Sequence, residues 1–241
     1  MSTDNLVHLH VHSEHSFLDG LSTIDSIVER AVDLGQSSIA VTDHGECSGH
    51  FIFQRAADKH GIKPIFGMEG YFTDDRHEKV GKKGEFYDHM TVIALNQTGL
   101  TNLWSLSSEA WLEGTYYGDP RFDWELLNKY SEGLAITGGC MGGCVGKFLN
   151  EGNNQFSFEK AYERISRFQS IFGDNFFLEL HSYSSPDSEK WNKQIVRAAG
   201  ELSVPLLSVS DSHYTKPEDW YAHEVMTAIQ MGKTVKDEDR F

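Results

Sequence analysis

His8-Leu9-His10-Val11-His12-Ser13 alternates imidazoles with apolar side chains and runs on through Glu14-His15-Ser16-Phe17-Leu18 into Asp19-Gly20. On a β-strand successive side chains point to opposite faces, so His8, His10 and His12 share one face and Leu9 and Val11 the other. An unpaired polar row is an expensive way to face a core, whereas neutral imidazole is a common nitrogen ligand for zinc, manganese or iron. Taken alone, the row serves equally as a metal face or a solvated strand face, because His-rich tracts are compositional evidence.

Outward from this stretch, short β-type runs alternate with helical patterns. The runs are Val7 to His10, Ser38 to Thr42, Pro64 to Met68, Met90 to Leu95, Leu134 to Thr137, Phe176 to Leu180 and Leu206 to Val209. Between them lie segments with apolar spacing of three and four, such as Ile24, Ile27, Val28, Ala31 and Leu34 ending at Gly35, and the stretches Phe158 to Phe172 and Asp187 to Glu201. Strands alternating with helices predict an all-parallel sheet covered by helices, open or closed as a barrel, in one domain. Polar residues gather where the runs stop: Thr42-Asp43-His44-Gly45, Gly67-Met68-Glu69, Gly138-Gly139-Cys140, Glu179-Leu180-His181 and Ser210-Asp211-Ser212-His213. In (β/α) barrels the reacting groups come from the C-terminal ends of several strands, so this pattern predicts one shared rim site. Only His89 is out of place, because it precedes its apolar run.

Composition bounds the function. The 241 residues are 39% apolar and 12% aromatic, enough for a sizeable core without staples. Three cysteines, Cys47, Cys140 and Cys144, are too few for a disulfide scaffold and fit a reducing, cytoplasmic setting. Neither a leader nor a membrane-spanning run is expected. With 21 Lys and Arg against 36 Asp and Glu, the net charge of −15 argues against extended nonspecific DNA binding and suits a chain that holds divalent cations. The basic cluster Arg76, Lys79, Lys82 and Lys83 reads as a flexible solvated loop before it reads as a phosphate-steering one.

Together, His10-Val11-His12-Ser13, Asp19-Gly20, Thr42-Asp43-His44-Gly45, Gly67-Met68-Glu69, His89, Cys140 and Asp211-Ser212-His213 resemble the motifs of the PHP (polymerase and histidinol phosphatase) family. The likeness covers essentially the whole chain and is closest to the N-terminal PHP domain of bacterial replicative polymerase alpha subunits. Connecting text shares it, as in Ser16-Phe17-Leu18-Asp19-Gly20, Gly61-Ile62-Lys63-Pro64-Ile65 and Ile229-Gln230-Met231-Gly232-Lys233-Thr234. The resemblance implies a distorted seven-stranded (β/α)7 TIM-like barrel, residues 1–241 forming a single PHP domain with the polymerase domains absent, and up to three divalent ions at the rim. It assigns His10, His12, Glu69 and Asp211 to one ion and Asp19, His44 and His213 to a second. His89 and Cys140, with Glu69 bridging, would hold a third.

What the resemblance implies chemically is a metal-dependent phosphoesterase, a 3′-to-5′ exonuclease on DNA ends, with zinc, manganese or iron as cofactor. Mixed imidazole and carboxylate donors agree, since clustered divalent ions clamp the attacking and leaving oxygens of a displacement at phosphorus. Partners would be a DNA 3′ end or another phosphate ester, and a replicative polymerase core or its proofreading subunit. Two rival readings are a non-catalytic docking module of such a polymerase and a small-molecule phosphatase of the histidinol-phosphate kind. Met68 and His15 depart from residues common in polymerase-type members, neither at a ligand position.

Other residues receive plainer readings. His8 is expected to be a hydrogen-bonded core residue rather than a ligand. Cys144 reads as a small buried thiol, the Gly138–Gly143 run as a strand-to-helix turn, and Tyr116, Tyr117 and Arg121 as packing before base stacking. Asp43 is expected to fix a histidine tautomer. His181 is the one further candidate beyond the metal ligands, for contact with a substrate phosphate.

Overall fold

The computed structural model describes residues 6–80, 87–182 and 185–237. In chain order its elements are α1 (Ile24–Asp33), β1 (Ser38–Val41), α2 (His50–His60), β2 (Lys63–Phe72), β3 (Asp88–Ala94) and α3 (Gln97–Glu113). There follow β4 (Thr115–Tyr116), β5 (Asp119–Phe122), α4 (Trp124–Tyr130), β6 (Leu134–Thr137), α5 (Gly146–Leu149) and α6 (Phe158–Phe172). The order ends with β7 (Phe176–His181), α7 (Pro186–Leu202), β8 (Leu206–Val209) and α8 (Trp220–Gln230). The chain divides into two compact units, Met1–Phe66 with Asp211–Phe241, and Gly67–Ser210.

In the first unit α1 starts where the Thr23 side chain accepts from Ser26 N, and its Ile24, Ile27, Val28 and Ala31 fall on one face at helical spacing. That face packs with Ile39 and Val41 of β1 and with Phe53, Ala56 and Ala57 of α2. Each large side chain fully buried this way contributes about 1.5–3 kcal/mol. β1 pairs in parallel with the start of β2, from Ser38↔Lys63 to Val41↔Phe66. The run predicted as a first strand, Val7 to His10, is not a regular strand, and the residue after it, Val11, forms an isolated bridge with Ser212. Its backbone is shared between two neighbours: Ala40 N donates to His8 O and Thr42 N to Val11 O, while His12 N donates to Ser212 O and Ser212 N to His10 O. On the β1 side the Thr42 hydroxyl, not a carbonyl, accepts from Val11 N at 2.9 Å, and this interrupts the ladder.

In the second unit the mixed pairing overturns the all-parallel expectation. β3 runs antiparallel to β2 (Gly67↔Ile93 to Phe72↔Asp88) and to β6 (Val92↔Ile136 to Ala94↔Leu134). β6, β7 and β8 then pair in parallel. A parallel return ordinarily carries a crossover helix, and among the described residues 73–80 and 87 between β2 and β3 there is none. β4 and β5 form a hairpin that the sequence reading missed; with the Val7 to His10 run not a strand, six of the seven predicted strands and these two make eight described strands. Tyr117 and Gly118 both have positive φ (53° and 93°), the backbone of the two-residue turn that matches strand twist.

Because β3 is inverted, its first residues lie beside the last residues of β2, with Tyr71 opposite His89. His89 precedes its apolar run for this reason. After β6 the chain turns at Gly139 (φ +73°), where a Cβ would come within 2.3 Å of His89 O, so the 138–144 loop lies against the start of β3.

Candidate metal centre

The first unit gathers six of the nine predicted ligands. The turn after His12 is built to aim them. Ser16 N donates to Ser13 O, Asp19 N and Gly20 N both donate to Ser16 O, and Leu18 sits in the left-handed region at φ 61°. A Cβ on Gly20 would lie 2.0 Å from Ser13 O, so only glycine closes this turn. Asp211 is likewise left-handed, at φ 49°. Such non-glycine conformations cost on the order of 1–3 kcal/mol each and persist where surrounding structure enforces them, typically at functional sites.

His10 and His12 are fully buried, and each places Nε2 3.3 Å from the same oxygen, Asp211 Oδ1. Asp19 Oδ2 lies 2.9 Å from His44 Nε2 and 3.0 Å from His213 Nε2. Donor atoms of His10, His12 and Asp211 lie within 4.8 Å of one another, as do those of His12, Asp19, His44 and His213. The rings stack closely, His12 on His213 at 4.3 Å and 18° and His12 near His44 at 4.4 Å. Burial by itself would raise the Asp19 carboxyl, but the imidazoles of His213 and His44 outweigh it and hold Asp19 well below the usual carboxylate range.

Hydrogen bonds behind the rings fix which nitrogen faces the carboxylates. Asp43 accepts from Ser13 N, Ser13 Oγ and Ser16 Oγ, each at 2.7 Å. The Ser16 hydroxyl hydrogen is thereby committed to Asp43, so at 2.9 Å Ser16 Oγ accepts from His12 Nδ1. His213 Nδ1 must likewise donate, since its partner at 2.9 Å is the backbone carbonyl of Asp211. In the neutral ring the remaining Nε2 is then a lone-pair acceptor. At both rings that acceptor faces a carboxylate oxygen, an arrangement that needs a cation between them, either a proton or a metal ion. The donor set therefore fits a borderline divalent metal.

Ser16 was not singled out by the sequence pattern, although it lies four residues after His12 in the quoted stretch. His223 was also missed: it donates through Nε2 to Asp19 O at 3.0 Å, and burial, helped by the nearby His213, lowers its basicity. His8 is half-buried, and burial lowers its pKa.

The second unit holds the other three predicted ligands. Glu69, almost fully buried, has Oε1 3.3 Å from His89 Nδ1. The His89 ring lies parallel to Tyr87 at 5.7 Å, and the Tyr87 hydroxyl is pushed up to about 12 by burial and by Asp119. Cys140 is half-buried on the loop that lies against β3. Cys144 is fully buried, and burial pushes its thiol well above the ordinary range, as suits a packing residue.

His181 does not face solvent. Its ring is buried against Trp191, and Nε2 lies 2.9 Å from Glu179 Oε2, while Thr137 and Thr91 donate their hydroxyls to Glu179 Oε1 at 2.5 and 3.0 Å. Nor is Arg76 part of a solvated loop: it is buried and bonds to Asp123, Glu113 and Glu125. Lys79 is exposed, and Lys82 and Lys83 lie outside the described residues. Arg121 is buried, donates to the carbonyls of Arg76, Glu78 and Gly114, and stacks on Tyr116, so it is a packing residue.

A family model for the PHP domain matches residues 8–183. The chain belongs to the PHP domain family. Its relatives include the DNA polymerase III subunit alpha of Aquifex aeolicus (strain VF5), 40% identical over 98% of this chain and 20% of that protein. The same subunit of Borreliella burgdorferi is 39% identical over 97% of this chain and 20% of that protein. The chain thus spans about a fifth of the length of these curated relatives. Among solved structures, a Bifidobacterium adolescentis protein assigned as a metal-dependent phosphoesterase superposes with a TM-score of 0.58 at 16% identity, covering 88% of this chain and 89% of that one. An amidohydrolase from Chromobacterium violaceum, solved with sulfate and no metal, gives 0.55 at 17% identity, covering 91% and 96%. These two likenesses concern the fold.

Proposed function

We propose that this PHP domain is a metal-dependent phosphoesterase that removes nucleotides from DNA 3′ ends in the cytoplasm, in the setting of a replicative polymerase. The observation that carries the reading is the pair of imidazoles, His12 and His213, whose Nδ1–H groups are committed elsewhere while their Nε2 atoms face carboxylate oxygens. The relatives named DNA polymerase III subunit alpha support the DNA substrate. No helix among the described residues is long and apolar enough to cross a membrane.

His10, His12 and Asp211 would hold one ion, and Asp19, His44 and His213 a second. Glu69, His89 and Cys140 would supply donors for a third. Zinc, manganese or iron suits these donors. When bound, the ions supply Lewis acidity that activates water and neutralises charge on the phosphoryl oxygens. The chain's own residues orient the donors. Asp43, through Ser16, keeps the His12 proton on Nδ1, and the Asp211 carbonyl does the same for His213. Asp19, strongly acidic between two imidazoles, remains a carboxylate across the working pH range.

Elemental analysis paired with a 3′-end exonuclease assay tests the reading. Wild-type protein should bind roughly two to three divalent ions per chain and trim a labelled single-stranded 3′ end, and Asp211→Ala should lose metal and cleavage together. Bound metal with no cleavage of the DNA end would overturn it.

A further inference from the structure

We infer that the second unit carries a phosphate-binding groove for a nucleic-acid strand, formed by one face of α6 over Trp124. This deepens the proposed function by giving the strand a binding track apart from the metal donors. A cavity of about 470 Å³ is lined by Lys147, Lys160, Arg164 and Arg167, with Trp124 and Phe148 beneath. Lys160, Arg164 and Arg167 stand at positions i, i+4 and i+7 of α6 and so share one face. The helix buries Ala161, Ile165, Phe168 and Phe172 on another face. Seven residues at 1.5 Å rise span about 10 Å, long enough to meet more than one phosphate of a strand.

The four cations have two different jobs. Arg164 bonds to Asp74 at 2.8 Å and approaches Asp88 at 3.3 Å, and Lys147 reaches Asp88 at 2.7 Å, so this pair is anchored. Lys160 and Arg167 are exposed and form no ion pair among the described residues. The Arg167 guanidinium carbon lies over the Trp124 ring, 3.9 Å from its centroid, while the indole N–H is tied to Asp74 at 2.9 Å. A cation–π contact of this kind positions the guanidinium before any ligand arrives, and its N–H donors suit a phosphate.

With Asp88 counted beside the lining carboxylates Asp74 and Glu163, the four cations still outnumber the carboxylates, a small local excess opposite in sign to the chain's net charge of −15. A confined positive patch on an acidic protein directs a polyanion to one place and keeps it off the rest. Lys147 and Arg164 meet at Asp88, and the next residue is His89.

Binding of a fluorescent single-stranded oligonucleotide to the metal-stripped full chain tests the groove without turnover. Lys160→Glu/Arg167→Glu should weaken binding at least tenfold. With Lys160→Gln/Arg167→Gln, the slope of log affinity against log salt should fall by about 1.4, two contacts at about 0.7 each. Equal binding by wild type and both variants, or no binding by wild type, would overturn the groove. Full displacement of the oligonucleotide by millimolar inorganic phosphate would also overturn it, by making the site one for the free ion. Failure of the exonuclease reading would show separately, as absent 3′-end cleavage by the metal-loaded wild type.

Discussion

Two groupings of histidine and carboxylate in this chain are each built on a pair of polar residues two apart and leave different chemistry behind. In His10-Val11-His12 and in Glu179-Leu180-His181 the polar residues are two apart on extended backbone and share a face. At His12 the ring hydrogen goes outward to Ser16, and the Nε2 facing Asp211 is an acceptor. At His181 it is Nε2 itself that meets Glu179, whose other oxygen already takes two threonine hydroxyls. The first arrangement sets acceptor against acceptor and calls for a cation. The second pairs donor with acceptor and makes an internal polar network. What separates a candidate ligand from a core histidine here is the partner on the far side of the ring.

The comparison breaks most sharply at Glu179. Replacing it with alanine leaves His181, Thr91 and Thr137 buried around a missing acceptor, and losing one partner of such a buried pair costs about 3–5 kcal/mol. Denaturant unfolding should show that loss while elemental analysis shows the ion count unchanged. A drop in bound metal would instead make Glu179 and His181 part of the centre.

A smaller effect is expected at Ser16, which touches no proposed ion. Ser16→Ala removes the acceptor that fixes the His12 tautomer and frees the ring to present Nε2–H toward Asp211. Partners of this kind are worth roughly 10–100-fold in metal affinity, or about 1.4–2.7 kcal/mol. Competition with a chelator measures it, and unchanged affinity would show that stacking against His213 and His44 orients His12 without help.

These cases also mark how far the sequence could be read. The limits of α6 and β6 follow directly from apolar spacing, because each element buries one continuous face or run: Phe158–Phe172 and Leu134–Thr137. The His10, His12, Asp19, His44, Asp211 and His213 set was legible as motifs, and the structure brings those six together within one unit. The direction of β3 was not legible, since an apolar run reads the same whichever way the strand points and only the connection decides. The role of Ser16 depends on which nitrogen of His12 carries a hydrogen, which is set through Asp43, far away in sequence, and the burial of His181 depends on the equally distant Trp191. The β4–β5 hairpin left only Tyr117-Gly118 as a signal, in strands of two and four residues.

The mildest test acts through protons rather than metal. In the metal-stripped chain Asp19 lies below its unfolded-state pKa because His213 and His44 outweigh its burial. A carboxyl lowered on folding contributes stability that is present above its unfolded value, near pH 4, and is lost as pH falls through the folded value. Wild type should therefore exceed Asp19→Asn in stability above about pH 4–5, and the gap should close progressively in stronger acid. Chemical denaturation of both proteins across that range reads the effect. The Glu179 network supplies the contrast, since its carboxylate is held by threonine hydroxyls as well as an imidazole and does not depend on paired rings. If the two Asp19 curves ran parallel into acid, the imidazoles would not be holding the carboxylate, and the cation required between His213 and Asp19 could not be a proton in the metal-free state.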